Sequence, residues 1–532
     1  MSSDVERRRL LGPSIEDSDS EPDGNKEINS YYRKLKKNKE DQGLTKNLVL
    51  AILSCVIGSS FQFGYNTGVV NAPELVIQQF YNKTYYERYS EYLPEDELTL
   101  LWAVTVAIFT VGGMVGGVSA GFWGNRYGRT APSFYTPSTT VIGINTGLAP
   151  LYLSEIAPVS LRGMSGTINQ LAITVGALVS QVLGMKLALG TTDLWSVCLG
   201  LTIIPVMFQL LTLSFCPESP RYLMLSRDNK QGATDALVWL RKTSDVSDEL
   251  LEMQLEKEEQ QRATKFSVMD LFRQRELRIP LLISLVLQLS QQFSGINAVI
   301  MYSTSIFMNA GLDHSDAQYA TVGTGVVNML MTFVSALLVD RAGRRTLHLI
   351  GLGGMFVFSL VLSVAIVYQH EYQWLSYICI VAVLCYIISF ATGPGAIPWF
   401  YVAELFAQGP RSAAVSIAVL VNWSANFVVS LVFPIVQKAI ADYSFIPFVI
   451  LLAIFWLFTF FKVPETKGRT FDEISKAFLS SPQDVKTDDA KVLLAQDTTI
   501  QDAAKSVDTP SALDTPSDPD VVVNDPSNAP EY

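Results

Sequence analysis

The sequence predicts an all-α membrane protein that crosses the bilayer many times. Of its 532 residues 49% are hydrophobic, and the mean hydropathy is +0.27. Uncharged apolar stretches of roughly 20 residues, the length of a helix that spans the hydrocarbon core, recur along the chain. Basic residues cluster in alternate connecting segments, which indicates that these segments face the cytoplasm. Several soluble domains, which the length alone would suggest, are therefore disfavoured.

Ten apolar stretches are long enough to span a membrane. They are residues 48–70, 99–122, 165–189, 195–215, 279–305, 317–339, 346–368, 375–400, 412–436 and 443–461. An eleventh stretch, Val141–Leu153, is shorter. Apolar pieces of about 10–14 residues are usually re-entrant, interfacial or buried. We expect this piece to pack as a fragment that does not complete a second crossing.

The spans and the charged segments between them divide the chain into five regions. Both ends are expected to be cytoplasmic and largely disordered, because they are charged or rich in Asp, Ser, Thr and Pro. The segment between the two groups of spans is charged and has a helical pattern. The regions are a tail (1–47), an amino-terminal helix bundle (48–216, incomplete between 130 and 154), a cytoplasmic helical insert (217–278), a carboxy-terminal helix bundle (279–462) and a second tail (463–532, disordered from about 480).

Two short motifs lie outside the spans. The acidic external loop contains Asn82-Lys83-Thr84, a glycosylation sequon, so Asn82 is the expected attachment site. The segment Glu6–Leu11 (ERRRLL) is similar to an acidic dileucine signal, which would bind a trafficking adaptor and direct endosomal sorting. Short matches of this kind also arise by chance.

A polar stripe from Gln288 to Tyr302 lies inside the uncharged run 279–307. Gln288, Gln291 and Gln292 follow helical spacing and share one face, whereas Asn297 falls off it, which predicts a helix distorted near Gly295. An unpaired amide is costly in hydrocarbon, so this face must meet water or other helices. Two interpretations remain open. The amides bind a neutral polyhydroxy ligand, or they join helices.

The two halves of the chain form an internal repeat. Three sequence features recur in the same order in each half. They are Asn125–Arg129 and Asp340–Arg344, the pairs Glu155/Arg162 and Glu404/Arg411, and Pro217-Glu218 and Pro464-Glu465.

The repeat is shorter in the amino-terminal half. Arg129 and Glu155 are 26 residues apart, whereas Arg344 and Glu404 are 60 apart, a shortfall of 34 residues. That length corresponds to about one and a half membrane helices. A single crossing here would place every later basic loop outside, against the positive-inside rule. A splice variant, a faulty gene model and a real deletion would each produce this pattern.

The composition does not favour enzymatic or metal chemistry. The three His and five Cys are scattered without metal-ligand spacing, and no nucleophile–base pair or phosphate-binding loop stands out. We expect no enzyme activity, no metal, no cofactor and no nucleic-acid partner. The expected partners are a small sugar-like molecule and the lipid bilayer.

Five ordered motifs resemble those of the facilitative glucose transporters of the major facilitator superfamily. They are PESPR at 217–221, QQFSGIN at 291–297, RAGRR at 341–345, GPGAIPWF at 393–400 and VPETKGR at 463–469. The resemblance covers about residues 45–475 outside the gap. It implies two six-helix bundles with sugar bound midway between them. Here the amino-terminal bundle would lack about one and a half helices.

The resemblance also implies a set of sugar contacts. Amides match sugar hydroxyls, and an indole offers an apolar face and a donor. Trp399 could instead be an interfacial residue and Asn328 a helix–helix contact. The implied contacts are Gln170, Gln291, Gln292, Asn297, Asn328, Trp399, Asn422 and Asn426.

Gating residues follow from the same likeness and from chain chemistry. Tyr302 would be an external gate, and Gly393, Pro394 and Pro398 break the tenth family helix, which then serves as a hinge. Matched acids and bases at cytoplasmic helix ends could form salt-bridge latches that favour the outward-open state, or could be solvated topology signals. The latch candidates are Arg126, Arg129, Glu155, Arg162, Glu218, Arg341, Arg344, Glu404, Arg411 and Glu465.

The expected function is passive transport of hexose, most simply D-glucose, across the plasma membrane by alternating access. The segment Gln288–Ser290 and Trp399 resemble glucose rather than fructose carriers. Asn66 occupies the place where proton-coupled relatives have an aspartate, and an amide cannot titrate, which favours a uniporter. Two alternatives stay open. They are a transport-inactive variant and a non-transporting sugar sensor.

Overall fold

The structure is a computed structural model, and it describes residues 44–130, 139–158, 161–262, 268–369, 371–372, 374–406 and 408–467. Within these ranges all regular secondary structure is helical. In the same ranges eight helices are long and apolar enough to cross a membrane, and two shorter apolar helices, Ile168–Leu183 and Ile446–Lys462, accompany them. These ten helices coincide with the ten predicted spans to within a few residues at most ends. The predicted all-α polytopic fold is confirmed.

The amino-terminal half begins where Thr45 Oγ1 accepts a hydrogen bond from the Leu48 N–H and caps the first helix. A π-helical turn, Ile57–Phe61, interrupts the first span without ending it. The helices are α1 (Lys46–Val56), α2 (Gln62–Gly68), α3 (Glu74–Tyr89), α4 (Glu95–Tyr127), α5 (Thr139–Ile156), α6 (Arg162–Leu183), α7 (Trp195–Gly200) and α8 (Ile203–Leu213).

The segment between the halves is helical and packs under the first span. It contains α9 (Pro220–Leu225), α10 (Lys230–Arg241), α11 (Ser247–Arg262) and α12 (Val268–Arg273). Asn47 Nδ2 donates to the Trp239 carbonyl at 2.7 Å, which ties α10 to the start of α1. The Arg241 guanidinium pairs with Glu249 at 2.9 Å and donates to the Ile156 carbonyl. These contacts fix the insert against the end of the amino-terminal half that is predicted to be cytoplasmic.

The carboxy-terminal half contains a break at the predicted position. Gly295, with φ +92°, separates two helices of one span, and the ring of Phe448 lies 2.8 Å from where a Cβ would stand. This confirms the distortion expected near Gly295. The helices are α13 (Arg275–Phe293), α14 (Ile296–Asn309), α15 (His314–Ala342), α16 (Arg344–Tyr368), α17 (Leu375–Thr392), α18 (Ile397–Leu405), α19 (Gln408–Ile440) and α20 (Ile446–Lys462).

Side-chain exposure follows the pattern of a protein embedded in lipid. On α4, the exposed residues Ile108, Val115 and Phe122 recur every seventh position and form one apolar stripe. The opposite face of the same helix buries Trp102 and Val106 in a cluster with α14 and other helices of the carboxy-terminal half. The protein therefore has apolar surfaces both inside and outside, as expected when the surrounding solvent is a bilayer.

Helices α4 and α5 run parallel, although they are neighbours in the sequence. A Cβ on Gly143 would lie 2.6 Å from the Gly113 carbonyl, Leu148 lies beside Gly124, and Glu155 pairs with Arg129. The residue numbers of the contacting pairs increase in the same direction along both helices, so the helices are parallel. Helix α5 therefore begins partway along α4 and does not start at its Tyr127 end.

Helix α5 is longer than the apolar piece from which it was predicted. It has 18 residues and is about 27 Å long, but it begins roughly 20 Å below the outer end of α4. In the carboxy-terminal half, the 25-residue helix α16 occupies the interval between the corresponding helices α15 and α17. The described amino-terminal residues contain no counterpart of α16.

Candidate functional site

The polar stripe lies on both sides of the break at Gly295 and is buried. Gln288, Gln291, Gln292 and Asn297 are each at most 8% exposed. Each amide must therefore find partners inside the protein, since unpaired buried amides are costly.

One part of the stripe stabilises the broken helix between α17 and α18. Gln291 Nε2 donates to the carbonyls of Pro394 and Gly395 at 2.9 and 2.8 Å, and Gln288 Nε2 donates to that of Pro398 at 3.0 Å. Helix α17 ends at Thr392, so these carbonyls lie at or next to the interruption. The predicted break involving Gly393, Pro394 and Pro398 is present. The helix-joining interpretation therefore describes part of what Gln288 and Gln291 do.

The other part of the stripe forms a closed amide network with α19. Asn422 Nδ2 donates to Gln288 Oε1 at 2.7 Å and to Gln291 Oε1 at 2.8 Å. Gln292 Nε2 donates to Asn422 Oδ1 at 2.9 Å, and Asn297 Nδ2 donates to Gln292 Oε1. Every link joins an amide donor to an amide acceptor. A sugar hydroxyl, which does both, can replace any partner in this network.

The remaining predicted sugar contacts occupy different surroundings. Asn426, one helical turn after Asn422, is buried and accepts a hydrogen bond from Ser430 Oγ at 3.1 Å. Gln170 on α6, Asn328 on α15 and Trp399 on α18 are each partly exposed. The structure directly joins Gln291, Gln292, Asn297 and Asn422. Sugar contact by any of the eight remains a prediction.

Trp423 is a residue that sequence reasoning did not select. Its side chain is 1% exposed and contacts the rings of Phe63 and Phe109 at centroid distances of 5.5 and 6.0 Å. A Cβ on Gly113 would lie 2.4 Å from the indole, so a glycine is needed there. The paired glycines of α4 in the sequence GGMVGG (112–117) were the available signal. Trp423 brings α4 and α19, one from each half, into contact beside the amide network.

The two halves also meet at the helix ends that the sequence predicts to be external. Asn71 Nδ2 donates to Ser303 Oγ at 2.6 Å and to the Ile300 carbonyl at 2.7 Å, and the Thr304 N–H donates to Asn71 Oδ1 at 3.2 Å. Gln318 Nε2 donates to the Ala72 carbonyl at 3.1 Å. We call these contacts the external closure. Asn71 was not selected from the sequence, because its partners lie more than 200 residues away.

Tyr302, the predicted gate, lies beside the external closure. Its side chain is 1% exposed and its hydroxyl donates to the Ser430 carbonyl at 2.9 Å. Its backbone, with φ −128° and ψ +17°, departs from the helix and kinks α14. A local kink with a buried aromatic is suited to gating, and the role itself remains a prediction.

The acids and bases predicted to be cytoplasmic form one matching cluster in each half. The Arg129 guanidinium pairs with Glu155 at 3.1 Å, and the Arg129 backbone N–H donates to Glu218 Oε1 at 2.9 Å. The Arg344 guanidinium pairs with Glu404 at 3.1 Å, and the Arg344 backbone N–H donates to Glu465 Oε1 at 2.8 Å. These bonds connect helix ends of the same half. The predicted repeat is thus reproduced in three dimensions.

In each cluster a glycine leaves the space that the glutamate carboxylate occupies. Gly128 and Gly343 have φ of +107° and +91°, and a Cβ at either would lie 2.2 or 2.7 Å from the carboxylate of Glu218 or Glu465. The other latch candidates differ. Arg126, Arg341 and Arg411 are exposed, and the side chain of Arg162 lies outside the described residues. Latching between conformational states remains a prediction.

Asn82 lies on α3 in the segment between the first two spans and is partly exposed. Its glycosylation remains a prediction. The dileucine-like segment Glu6–Leu11 lies outside the described residues.

A family model for sugar (and other) transporters matches residues 51–144 and 138–478. Facilitated glucose transporter member 3 of solute carrier family 2 from dog (Canis lupus familiaris) is 47% identical over 472 residues, covering 83% of this chain and 94% of that relative. Member 1 from chicken (Gallus gallus) is 45% identical over 463 residues, covering 82% and 94%. The chain belongs to the facilitative glucose transporter family. It is thus a multi-pass membrane protein of a transporter family, not an enzyme family.

Solved transporter structures share the fold. The partially occluded inward-open form of the xylose transporter XylE from E. coli superimposes with a TM-score of 0.65 at 24% identity, over 80% of this chain and 100% of that one. Its inward-open form gives 0.64 at 24%, over 81% and 99%. At this identity the likeness shows the fold alone, which is that of the major facilitator superfamily.

Proposed function

We propose that this protein binds a hexose, most simply D-glucose, at the amide network and carries it passively across the plasma membrane by alternating access. The observation that supports the proposal is the closed network of Gln288, Gln291, Gln292, Asn297 and Asn422 beside a broken helix. Neutral amides match neutral hydroxyls, and a break in a helix allows the site to open. The facilitated glucose transporters among the relatives support the same substrate.

Uniport rather than proton symport is supported by Asn66. This residue lies on α2, and its Nδ2 donates to the Gln62 carbonyl of the preceding turn at 2.8 Å. An amide at that position has no proton to exchange, so the first span offers no relay there. Uptake should therefore generate no proton current.

Alternating access is supported by where the two halves touch. The external closure joins the two halves on one side of the protein. On the other side, each arginine–glutamate cluster bonds only residues of its own half. Opening outward requires the contacts of Asn71 and Gln318 to break. The described arrangement is accordingly one with its external side closed.

The test is hexose uptake by Gln292→Ala in cells that lack their own hexose carriers. We expect uptake to fall at least tenfold at unchanged surface expression, because the removed amide bonds three members of the network, Gln291, Asn422 and Asn297. Gln231→Ala, an exposed amide of α10, is the matched control and should be unaffected. Unchanged uptake by Gln292→Ala would remove the amide network from the proposed site.

We also propose that this chain lacks one helix and part of another between Arg129 and Glu155. Three observations support it. The repeat is 34 residues short, the family match falls into two pieces that meet at 138–144, and α4 and α5 run parallel.

This gap favours a second candidate function, a variant that binds sugar without moving it, either inactive or a sensor. Purified protein should then bind glucose in a calorimeter yet give no flux in proteoliposomes, whereas the carrier gives both. Sequencing the transcript across the codons for Arg129–Val141 would identify the origin of the gap. About 34 additional codons, the shortfall of the repeat, would identify a minor splice form or a faulty gene model.

Residence at the plasma membrane with both termini cytoplasmic, and endosomal sorting through Glu6–Leu11, are part of the proposal. Alanine at both Leu10 and Leu11 should raise the surface fraction of a tagged protein. An unchanged distribution between surface and endosomes would exclude an adaptor at this motif.

A further inference from the structure

A buried carboxyl group lies at the external closure and has no role in the proposed sugar site. Glu74 is the first residue of α3, outside the membrane spans, and is 8% exposed. Its Oε1 accepts a hydrogen bond from Gln78 Nε2 at 3.0 Å. Its Oε2 is buried without a hydrogen-bond partner among the described residues. A buried carboxylate normally has a cation or several donors, whereas Glu74 has two neutral groups beside it, the bonded Gln78 amide and the Trp102 indole.

The neighbours of Glu74 come from both halves. The indole of Trp102 on α4 lies beside the carboxyl group, and the phenol of Tyr302 on α14 is within electrostatic range. Ile77, one turn along α3, is buried in the same cluster as Trp102 and Tyr302. Asn71, three residues before Glu74, forms the bonds of the external closure. Glu74 is therefore buried where the two halves meet.

The surroundings supply little to hold a negative charge. Tyr302 is the titratable group that faces Glu74 from another helix, α4 presents the indole of Trp102, and α3 itself presents the amide of Gln78. In the described part of the chain no cation faces the carboxyl group. Burial raises the pKa of Glu74 to about 8, and its contacts with Gln78 and Trp102 lower the pKa by less.

We propose that Glu74 is a proton-binding site of the external gate, which takes up a proton when the gate closes and returns it to the outside when the gate opens. In the open gate water reaches the carboxyl group and it ionises as an ordinary glutamate. The proton enters and leaves on the same side, so the cycle moves no net proton across the membrane. The inference rests on the proposed opening and closing but not on the identity of the sugar.

The direction of the pH effect follows from linkage. The closed state has the raised pKa, so it binds the extra proton between about pH 4.5 and pH 8. Lowering the external pH through this window favours the closed state by up to about tenfold per pH unit. The closed fraction becomes independent of pH below and above the window.

The experiment measures the gate without sugar. Cysteines replace the exposed residues Glu97 on α4 and Tyr372 in the segment before α17, and both are spin-labelled in the full chain in proteoliposomes. Double electron–electron resonance then gives the populations of short and long distances from pH 5.5 to 8.5. We expect the short-distance population to rise as the pH falls. The isosteric Glu74→Gln should keep the gate closed at every pH, because it needs no proton.

Two results would overturn the proposal. One is a wild-type distance distribution that does not change over this pH range. This measurement uses only the wild-type protein, so it does not depend on whether a Glu74 variant folds. The other is an equal pH response in Glu74→Gln. Glu87→Gln, an exposed carboxyl on the same helix, is the matched control and should titrate like the wild type. Since no sugar is present, failure here leaves the sugar proposal untouched, and loss of glucose uptake leaves this one untouched.

Discussion

Asn71 and Ser303 join the two halves of the protein through a hydrogen bond of 2.6 Å between Nδ2 and Oγ. The same amide also donates to the Ile300 carbonyl and accepts from the Thr304 N–H. One side chain thus satisfies three groups on the kinked helix that contains Tyr302. In the proposed outward-open state this bond would be broken.

Asn71→Ala should shift the protein toward its outward-open state. Loss of three hydrogen bonds at about 0.5–1.5 kcal/mol each predicts a shift of about 1.5–4.5 kcal/mol, which is at least about tenfold in population. The Glu97/Tyr372 spin-label pair measures this shift at fixed pH. Gln79→Ala, an exposed amide of α3, should not move the distances. A closed population equal to wild type would show that other contacts hold the closure.

Gln291→Leu should destabilise the protein more than Gln292→Leu does. Gln291 satisfies two carbonyls of the broken helix, and leaving them unpaired costs about 1–3 kcal/mol each, whereas Gln292 bonds other side chains that can rearrange. Thermal unfolding in detergent, followed by size-exclusion chromatography, ranks the two variants. The reverse order would mean that the break does not depend on Gln291.

Gly113→Ala should impair the contact between α4 and α19, because the new methyl group would lie 2.4 Å from the Trp423 indole. Overpacking of this kind typically costs about 1–3 kcal/mol. The unfolding temperature and the rate of hexose uptake should both fall. Gly121→Ala lies on the same helix with no atom within 4 Å of its Cβ, so it should behave as wild type. Equal effects of the two variants would contradict this role of Trp423.

Glu465→Gln should lower the unfolding temperature. The carboxylate accepts hydrogen bonds from the backbone N–H groups of Arg344 and Arg345 at 2.8 and 3.0 Å. In the glutamine variant, the side-chain NH₂ group would face one of these N–H groups, and two donors cannot bond each other. We expect a loss of about 1–3 kcal/mol. Glu258→Gln, an exposed residue of α11, is the control. A variant as stable as this control would show that the cluster contributes little.

The spans were predictable because hydrocarbon acts on each helix separately. Twenty apolar residues must form a helix in lipid wherever they occur in the chain, so 346–368 in the sequence and Arg344–Tyr368 in the structure nearly coincide. The break at Gly393 was also visible, because Gly and Pro act through local backbone chemistry. The distortion at Gly295 followed from polar residues that leave a common helical face.

Residues with distant partners were not predictable in the same way. The sequence gives Trp423 no helical pattern that distinguishes it from an interfacial tryptophan, and its role depends on glycines about 310 positions earlier. Glu74 resembles any acidic residue of an external loop, and only its burial against α4 and α14 distinguishes it. Gln288 and Gln291 were recognised as polar residues that need partners, but the sequence left open whether those partners were a sugar or helices.

Sequence by itself determined the membrane class, the ten apolar helices, the repeat and its 34-residue difference in spacing, since hydropathy, charge and spacing are properties of the chain. Tertiary structure alone decided that α4 and α5 run parallel, that Asn71 closes the external side, and that the amides of α13 bond to both a broken helix and Asn422. The physical reason is that hydrogen bonding and close packing act at about 3–4 Å between groups that the chain order leaves far apart.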